Sequence, residues 1–303
     1  MPHWLLKSLI HRAISCLPCP QKWNELLQEH VTKSLGLSEQ HCLGMIANAR
    51  RHLDVRWQRS DKTDFVVMEI GTGWYPVAPV VAMLCGAERV WTFDIDPLLR
   101  AARLERMLAH MRRFASDGRL KVALPDLRAE RLEIISAPTG GDPVKRLRQM
   151  GIEYRVQDAS RTGLADRSVD HFFSHSVMQY IPRSPLEVLM RECLRVARPH
   201  ATHSHHILLK DQYSIFDHSI TPFDFMRFSD RAWRWLDSPL IPQTRLRIRD
   251  YREAFAATGW RMLAENSDSG DAAALRRVKL DRRFQGYSEA DLLVTGTWVE
   301  LAS

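Results

Sequence analysis

The apolar positions of this chain change their period once. Over residues 1–60 they recur every three to four positions, so "WLLKSLIHRAISCL", "QKWNELLQEHVTKSLG" and "SEQHCLGMIANARRHLDVRW" read as helices. In the second, Trp23, Leu26, Leu27 and Val31 form one stripe, and the third begins at Ser38. From Asp64 the pattern shortens. "FVVMEIG" is a continuous apolar run that stops at a glycine, as a strand buried on both faces does. Strand-like and helical stretches then alternate: "YPVAPVVAMLCGA" is helical, "RVWTFDID" a strand, and a basic helix runs to about Phe114. "EYRVQDA", "VDHFFSHS" and "HSHHILLKD" are further strands, the last two separated by the helix "SPLEVLMRECLRVAR". "YREAFAATGW" is a helix, and "RMLAENSD" and "DLLVTGTWVEL" are the last strands. Residues 116–148 are polar and read as a connector with a short strand at "RLEIIS".

This alternation predicts an α/β fold with a doubly wound, seven-stranded, mostly parallel sheet. The two late strands pair as an antiparallel hairpin at its edge. Residues 1–60 form an N-terminal helical cap, and residues 61–303 form the domain that carries the sheet. No internal repeat is present.

Composition narrows the partners. No apolar run approaches the roughly 20 residues that span a bilayer. The N-terminal stretch lacks a clean signal-like core, because Lys7, His11 and Arg12 interrupt it. A cytoplasmic location and, at most, weak peripheral membrane contact of that helix are expected. The five cysteines are scattered, which fits a reducing compartment. Cys16 and Cys19 form a C-x-x-C with His41 and Cys42 farther on, yet Pro18 and Pro20 make it read as a turn, and no metal site is expected. The net charge of +7 is spread along the chain, and only eight of the 43 basic residues are lysine. Nucleic acid is therefore not the expected partner. The oligomeric state is left open.

The chemistry concentrates in "EIGTGWYP". Gly71 and Gly73 supply a turn after the first strand, and Asp94 ends the second strand about 20 residues later, the spacing of a ribose-binding acid. The position three after Gly73 is Pro76, so the dinucleotide fingerprint fails, and no G-K-[ST] is present for a phosphate loop. A cofactor with adenosine but no phosphates suits such a turn.

At this point the chain resembles the class I S-adenosylmethionine-dependent methyltransferases, over roughly residues 60–265. The resemblance is to bacterial members of small-molecule and polysaccharide pathways, and rests partly on "FDFMRFSDRAWRWL" and "TRLRIRDYREAFAATGW". It implies the Rossmann-like methyltransferase fold, S-adenosylmethionine as cofactor and S-adenosylhomocysteine as product. In "FVVMEIGTGW" it sets Glu69, Gly71, Thr72, Gly73 and Trp74 by the methionine part. In "VWTFDID" it makes Asp94 the ribose acid with Ile95 beside it, Asp96 being the fallback. In "YRVQDAS" it brings Asp158 and Ala159 to the adenine, and "SVDHFFSHSVMQYIP" adds Ser174. Tyr75 replaces the usual third glycine, and "RPHA" lacks the usual glycine pair.

For a hydroxyl acceptor, His175 is the expected base, with Asp211 and His218 as further catalytic candidates. In "HATHSHH", strand alternation sends His203 and His205 to one face and His206 to the other, which opposes a shared metal. Residues 211–250 carry Tyr213, Phe216, Phe223, Phe225, Phe228, Trp233 and Trp235, an aromatic substrate lid or a second small core. Arg227, Arg245 and Arg247 are candidate anion receivers. The expected activity is methyl transfer to a small-molecule or glycan-precursor acceptor, at oxygen. The alternatives are an S-adenosylmethionine-using enzyme that moves another group or cyclises the cofactor, and a non-catalytic cofactor-binding or RNA-binding scaffold.

Overall fold

The first strand, β1 (Phe65–Ile70), is buried at every position, as its unbroken apolar run requires. A computed structural model describes residues 2–18, 22, 23, 25, 35–60, 64–137, 141–215, 217–237 and 242–303. Before β1 the described residues include α1 (Pro2–Ser15) and α2 (Glu39–Trp57), the latter capped by the Ser38 hydroxyl on the His41 N–H. Most of "QKWNELLQEHVTKSLG", with Leu26, Leu27 and Val31, lies outside the described residues, as do Cys19 and Phe216.

After β1 come α3 (Val77–Leu84), β2 (Ala87–Asp94), α4 (Ala101–Ser116), α5 (Arg119–Ala123), α6 (Leu132–Ser136), α7 (Pro143–Gln149), β3 (Ile152–Val156) and β4 (Val169–His175). Then follow α8 (Arg183–Val196), β5 (Ala197–Leu208), α9 (Asp230–Leu236), α10 (Ile248–Ala257), β6 (Arg261–Ser269), α11 (Ala272–Arg276), α12 (Glu289–Leu293) and β7 (Val294–Ala302). The "RLEIIS" stretch is corrected from strand to helix α6. Ile135 is buried there, and the Arg146 guanidinium donates to the carbonyls of Ile134 and Ala137.

The sheet order is β3-β2-β1-β4-β5-β7-β6. The five strands β1 to β5 are parallel, and β7 runs antiparallel to both β5 and β6. The late hairpin thus sits with β6 at the edge and β7 inside. Strand alternation sorts two cores onto opposite faces. Phe65, Val67, Val90, Ile152 and Phe173 pack with α2, α3, α4 and the 119–149 helices; Met68, Ile70, Phe93, Phe172 and Ile207 pack with α8 and α10. On α8 the buried Leu186, Leu189, Met190, Cys193 and Val196 keep the helical period.

The aromatic segment after β5 divides. Phe223 and Phe225 are fully buried in a third core with Leu275 and Phe284, which is the second small core. Tyr213, Phe228 and Trp233 surround Trp4 of α1, with ring centroids 4.6–5.7 Å away. The three candidate anion receivers are all engaged within the chain. Arg227 pairs with Asp224 and Arg245 with Asp230. Arg247 is completely buried and donates to the carbonyls of Leu209, Leu292 and Val294. Burial without a carboxylate in hydrogen-bond contact lowers its pKa to about 10. These arginines join β5, α9, α12 and β7 rather than waiting for an anion.

Candidate active site

Strand order reverses between β1 and β4, the place where an open α/β sheet leaves a crevice beyond its carboxyl ends. The glycine turn after β1 enters it. Gly71 (φ 82°) and Gly73 (φ 66°) both adopt the left-handed region that side chains avoid. Their surroundings differ. A Cβ on Gly71 would stand 2.3 Å from Val177 Cγ2, whereas a Cβ on Gly73 would meet nothing within 4 Å. The first glycine makes room for Val177, and at the second only its own chain neighbours come close.

Asp94 closes the turn from β2. Its Oδ2 accepts the Gly73 N–H at 2.8 Å, and its Oδ1 accepts the Asp96 N–H at 3.2 Å. Burial raises its pKa from the ordinary aspartate value. Ile95 beside it is 76% exposed, an apolar side chain standing open at the end of β2. Asp158, at the end of β3, is exposed and accepts the Ser160 N–H at 2.8 Å, while Ala159 is buried. The Gln157 N–H donates to the Asp94 carbonyl at 2.8 Å, which holds the ends of β2 and β3 side by side.

Glu69 lies buried under the turn and accepts the Thr92 hydroxyl, which in turn pairs with Thr72 Oγ1 at 2.5 Å. Burial pushes its carboxyl up to about 8, so it is largely uncharged near neutral pH. The bulky pair after Gly73 is turned two ways, Tyr75 against the N-terminal side and Trp74 against α4. Tyr75 is buried and its hydroxyl donates to the Leu35 carbonyl at 2.6 Å. The Trp74 ring lies under the Arg103 guanidinium of α4, 4.7 Å from its centroid. The side chain of Trp74 thus packs toward α4.

At the end of β4, His175 is half-buried and held from α2. Its Nδ1 pairs with His52 Nε2 at 3.2 Å and its Nε2 with the Asn48 amide at 3.4 Å. His52 Nδ1 pairs with Ser204 Oγ at 2.8 Å. The Asn48 amide donates, so the proton of His175 sits on Nδ1 and the single lone pair of Nε2 accepts that long hydrogen bond. The ring stacks on His206 at 4.5 Å, with Trp298 5.5 Å away. Burial and the neighbouring His206 lower the His175 pKa to about 4. The next residue, Ser176, takes φ 56°, a costly conformation for a serine. It is fixed by its N–H to the His206 carbonyl at 2.9 Å and its hydroxyl to His206 Nδ1 at 3.0 Å.

Three expected site residues stand elsewhere. Ser174 is fully buried on the other sheet face, where its hydroxyl pairs with His205 Nδ1 at 2.9 Å, so its side chain is corrected to an interior one. Asp211 is corrected likewise: only 1% is exposed, and its carboxylate accepts the Trp4 indole N–H at 2.7 Å and the Tyr213 N–H at 2.9 Å. It anchors α1. His218 lies exposed in the loop beyond. His203 and His205 do share one face, paired at 2.9 Å, and His206 takes the other. Among the described residues no group of three or more His, Cys, Asp or Glu could hold a metal. His52, Asn48, Ser176 and Val177 are the site residues that sequence reasoning missed. His52 and Asn48 stand on a helix more than 120 positions before His175, and a strained φ leaves no mark in the sequence.

Residues 105–203, about a third of the chain, match the family described as a methyltransferase domain. The match includes Asp158 and His175 and begins after Asp94. Compared with curated proteins, the chain finds no match. Its fold is similar to an S-adenosylmethionine-dependent methyltransferase of Methanosarcina mazei, at 13% identity over 82% of this chain and 96% of that one, with a TM-score of 0.44. A second, from Mesorhizobium loti, gives 14% identity over 82% and 96%, with a TM-score of 0.44. The geranyl diphosphate C-methyltransferase of Streptomyces coelicolor A3(2), in complex with Mg²⁺, geranyl diphosphate and S-adenosylhomocysteine, gives 11% identity over 84% and 78%, with a TM-score of 0.45. Likeness at this level says nothing of substrate.

Proposed function

From a chain whose residues 105–203 match a methyltransferase domain, we infer that this protein is an S-adenosylmethionine-dependent methyltransferase that acts on an oxygen of a small-molecule or glycan-precursor acceptor. The observation that carries the reading is the open Cα face of Gly73 beside the Asp94 carboxylate. Apart from its chain neighbours no atom comes within 4 Å of a Cβ placed there, and the Asp94 carboxylate stands beside it. These features fit an adenosine joined to an amino acid, and they would not cradle a pyrophosphate.

Each residue then has a task. The Gly71–Gly73 backbone borders the methionine part, with Glu69 beneath it. Asp94 accepts the ribose hydroxyls, with Asp96 one turn of the loop away. Ile95 supplies an apolar surface for adenine, and Asp158 and Ala159 its polar edge. When bound, the cofactor supplies a methyl group on a positively charged sulfur, already activated for attack. The chain's own work is to hold the acceptor in line, exclude water and take a proton. Nε2 of His175 is the acceptor for that proton once the acceptor hydroxyl takes the place of the Asn48 amide, whose 3.4 Å bond is the long one of the pair. A neutral imidazole at working pH serves this role, although its low basicity makes orientation carry much of the rate.

Two measurements test the reading together. Calorimetric titration with S-adenosylhomocysteine should give saturable one-site binding, and a labelled-methyl assay over hydroxylated sugars and small phenols should find an acceptor. Absent binding would overturn the cofactor site; binding without turnover on any acceptor would favour a scaffold.

A further inference from the structure

Helix α1 has two unlike faces. Its inner face is fixed to the segment after β5: Trp4 is buried, the Ser8 hydroxyl donates to the Leu236 carbonyl at 2.5 Å, and Arg12 donates to the Trp235 carbonyl. Its outer face carries Leu5, Leu6, Leu9 and Ile10, exposed by 37%, 56%, 60% and 48%, and leads to an exposed Leu17. These positions follow the helical period, so they form one stripe. Trp235 on α9 extends it. That ring is 68% exposed and lies 5.1 Å from the Arg12 guanidinium, at the edge of α1. Other exposed large apolar side chains, such as Ile95, Val122 and Val156, stand apart on other elements. A contiguous patch of this kind marks a contact surface, where single exposed residues do not.

The charge around the patch selects its occupant. Arg231 and Arg234 are exposed on α9 beside Trp235, and Arg12 borders the stripe. Among the described residues none of these three has a carboxylate in an ion pair, whereas Arg195, Arg245 and Arg252 do. A second copy docked through a two-fold axis would bring these cations against one another, which opposes association. An anionic lipid surface would meet them with the opposite sign. No described helix is long and apolar enough to cross a bilayer, so the helix would lie in the interface, with Trp235 at headgroup level.

We propose that the outer face of α1 together with Trp235, Arg231 and Arg234 docks this protein onto the surface of an anionic phospholipid bilayer. The proposal does not rest on the methyltransferase reading, and its test needs no turnover. The full chain is sedimented with vesicles of phosphatidylcholine, with or without phosphatidylglycerol. Binding should require phosphatidylglycerol and weaken as salt is raised. The double variant Leu6→Ser/Leu9→Ser should lose about tenfold or more in affinity, since two buried leucines are removed from the contact. Arg231→Glu/Arg234→Glu should lose the preference for the anionic lipid. Both pairs are exposed, so circular dichroism and the melting temperature should match the parent. Absent sedimentation, equal binding to neutral vesicles, or unchanged binding by both variants would overturn the proposal. So would self-association in light scattering that Leu6→Ser/Leu9→Ser abolishes, which would make this face a contact between copies.

Discussion

The Asp94 carboxylate accepts the backbone N–H of Gly73 at 2.8 Å, across 21 residues of sequence. The acid at the end of β2 therefore holds the glycine turn in shape, and in the proposed function it also takes the ribose hydroxyls. Asp94→Ala should weaken S-adenosylhomocysteine binding by about 10- to 100-fold, from the loss of one or two charge-assisted hydrogen bonds. Asp94→Asn keeps an acceptor for the Gly73 N–H and should fall between the two. Calorimetric titration reads the ranking, and equal affinity for all three would remove Asp94 from the site.

The two glycines of the turn should respond differently to alanine. At Gly71 the new methyl group meets Val177 at 2.3 Å in a left-handed backbone, so stability should fall by about 2–4 kcal/mol. Adding Val177→Ala should recover part of that loss. At Gly73 only the backbone term of about 1–2 kcal/mol applies, and the larger effect should be on cofactor affinity. Urea midpoints and calorimetry measure the two axes, and identical profiles would refute the division of labour.

Glu69 makes stability fall as pH rises. Below its ordinary value of 4.5 the carboxyl is protonated in both folded and unfolded chains. Between there and about 8 only the unfolded chain is ionised, so the folded state loses ground progressively, and the loss levels off above 8. Glu69→Gln should flatten this slope between pH 5 and pH 9 in urea titrations. A slope that survives the substitution would assign it to another group.

Histidines give the opposite slope on the acid side. His171 and His205 are lowered to about 3, His175 and His206 to about 4, and His52 and His203 well below the ordinary 6.5, each chiefly by burial. Below pH 6.5 the unfolded imidazoles take up protons that the folded ones refuse. Stability is therefore full above that value and is lost as pH falls, by at most about 1.4 kcal/mol per pH unit for each histidine. Melting temperatures from pH 7 to pH 4.5 should drop steeply, and His175→Gln/His206→Gln should shallow the curve.

Some of this was open to a sequence reading, and the reasons are physical. Buried parallel strands such as Phe65–Ile70 leave unbroken apolar runs, and the Gly73-to-Asp94 interval follows from one strand–helix–strand unit. A five-residue piece like Leu132–Ser136 carries too few positions to separate the two periods, so α6 reads as a strand. Tyr75 shows in sequence only as an oversized residue, and its role depends on the Leu35 carbonyl 40 residues away. His52 sits among the apolar positions of α2, and nothing near it marks its contact with His175. Arg247 looks like a surface cation until the three carbonyls around it are seen.

The attachment of α1 has a consequence for the order of assembly during synthesis. Its inner-face partners, Asp211, Leu236 and Trp235, lie 207 to 228 positions downstream. At about 5–20 residues per second, a ribosome takes on the order of ten seconds or more to supply them. Through that interval Trp4 and Ser8 have no folded surface to cover them, and whatever first meets the nascent chain meets this segment bare.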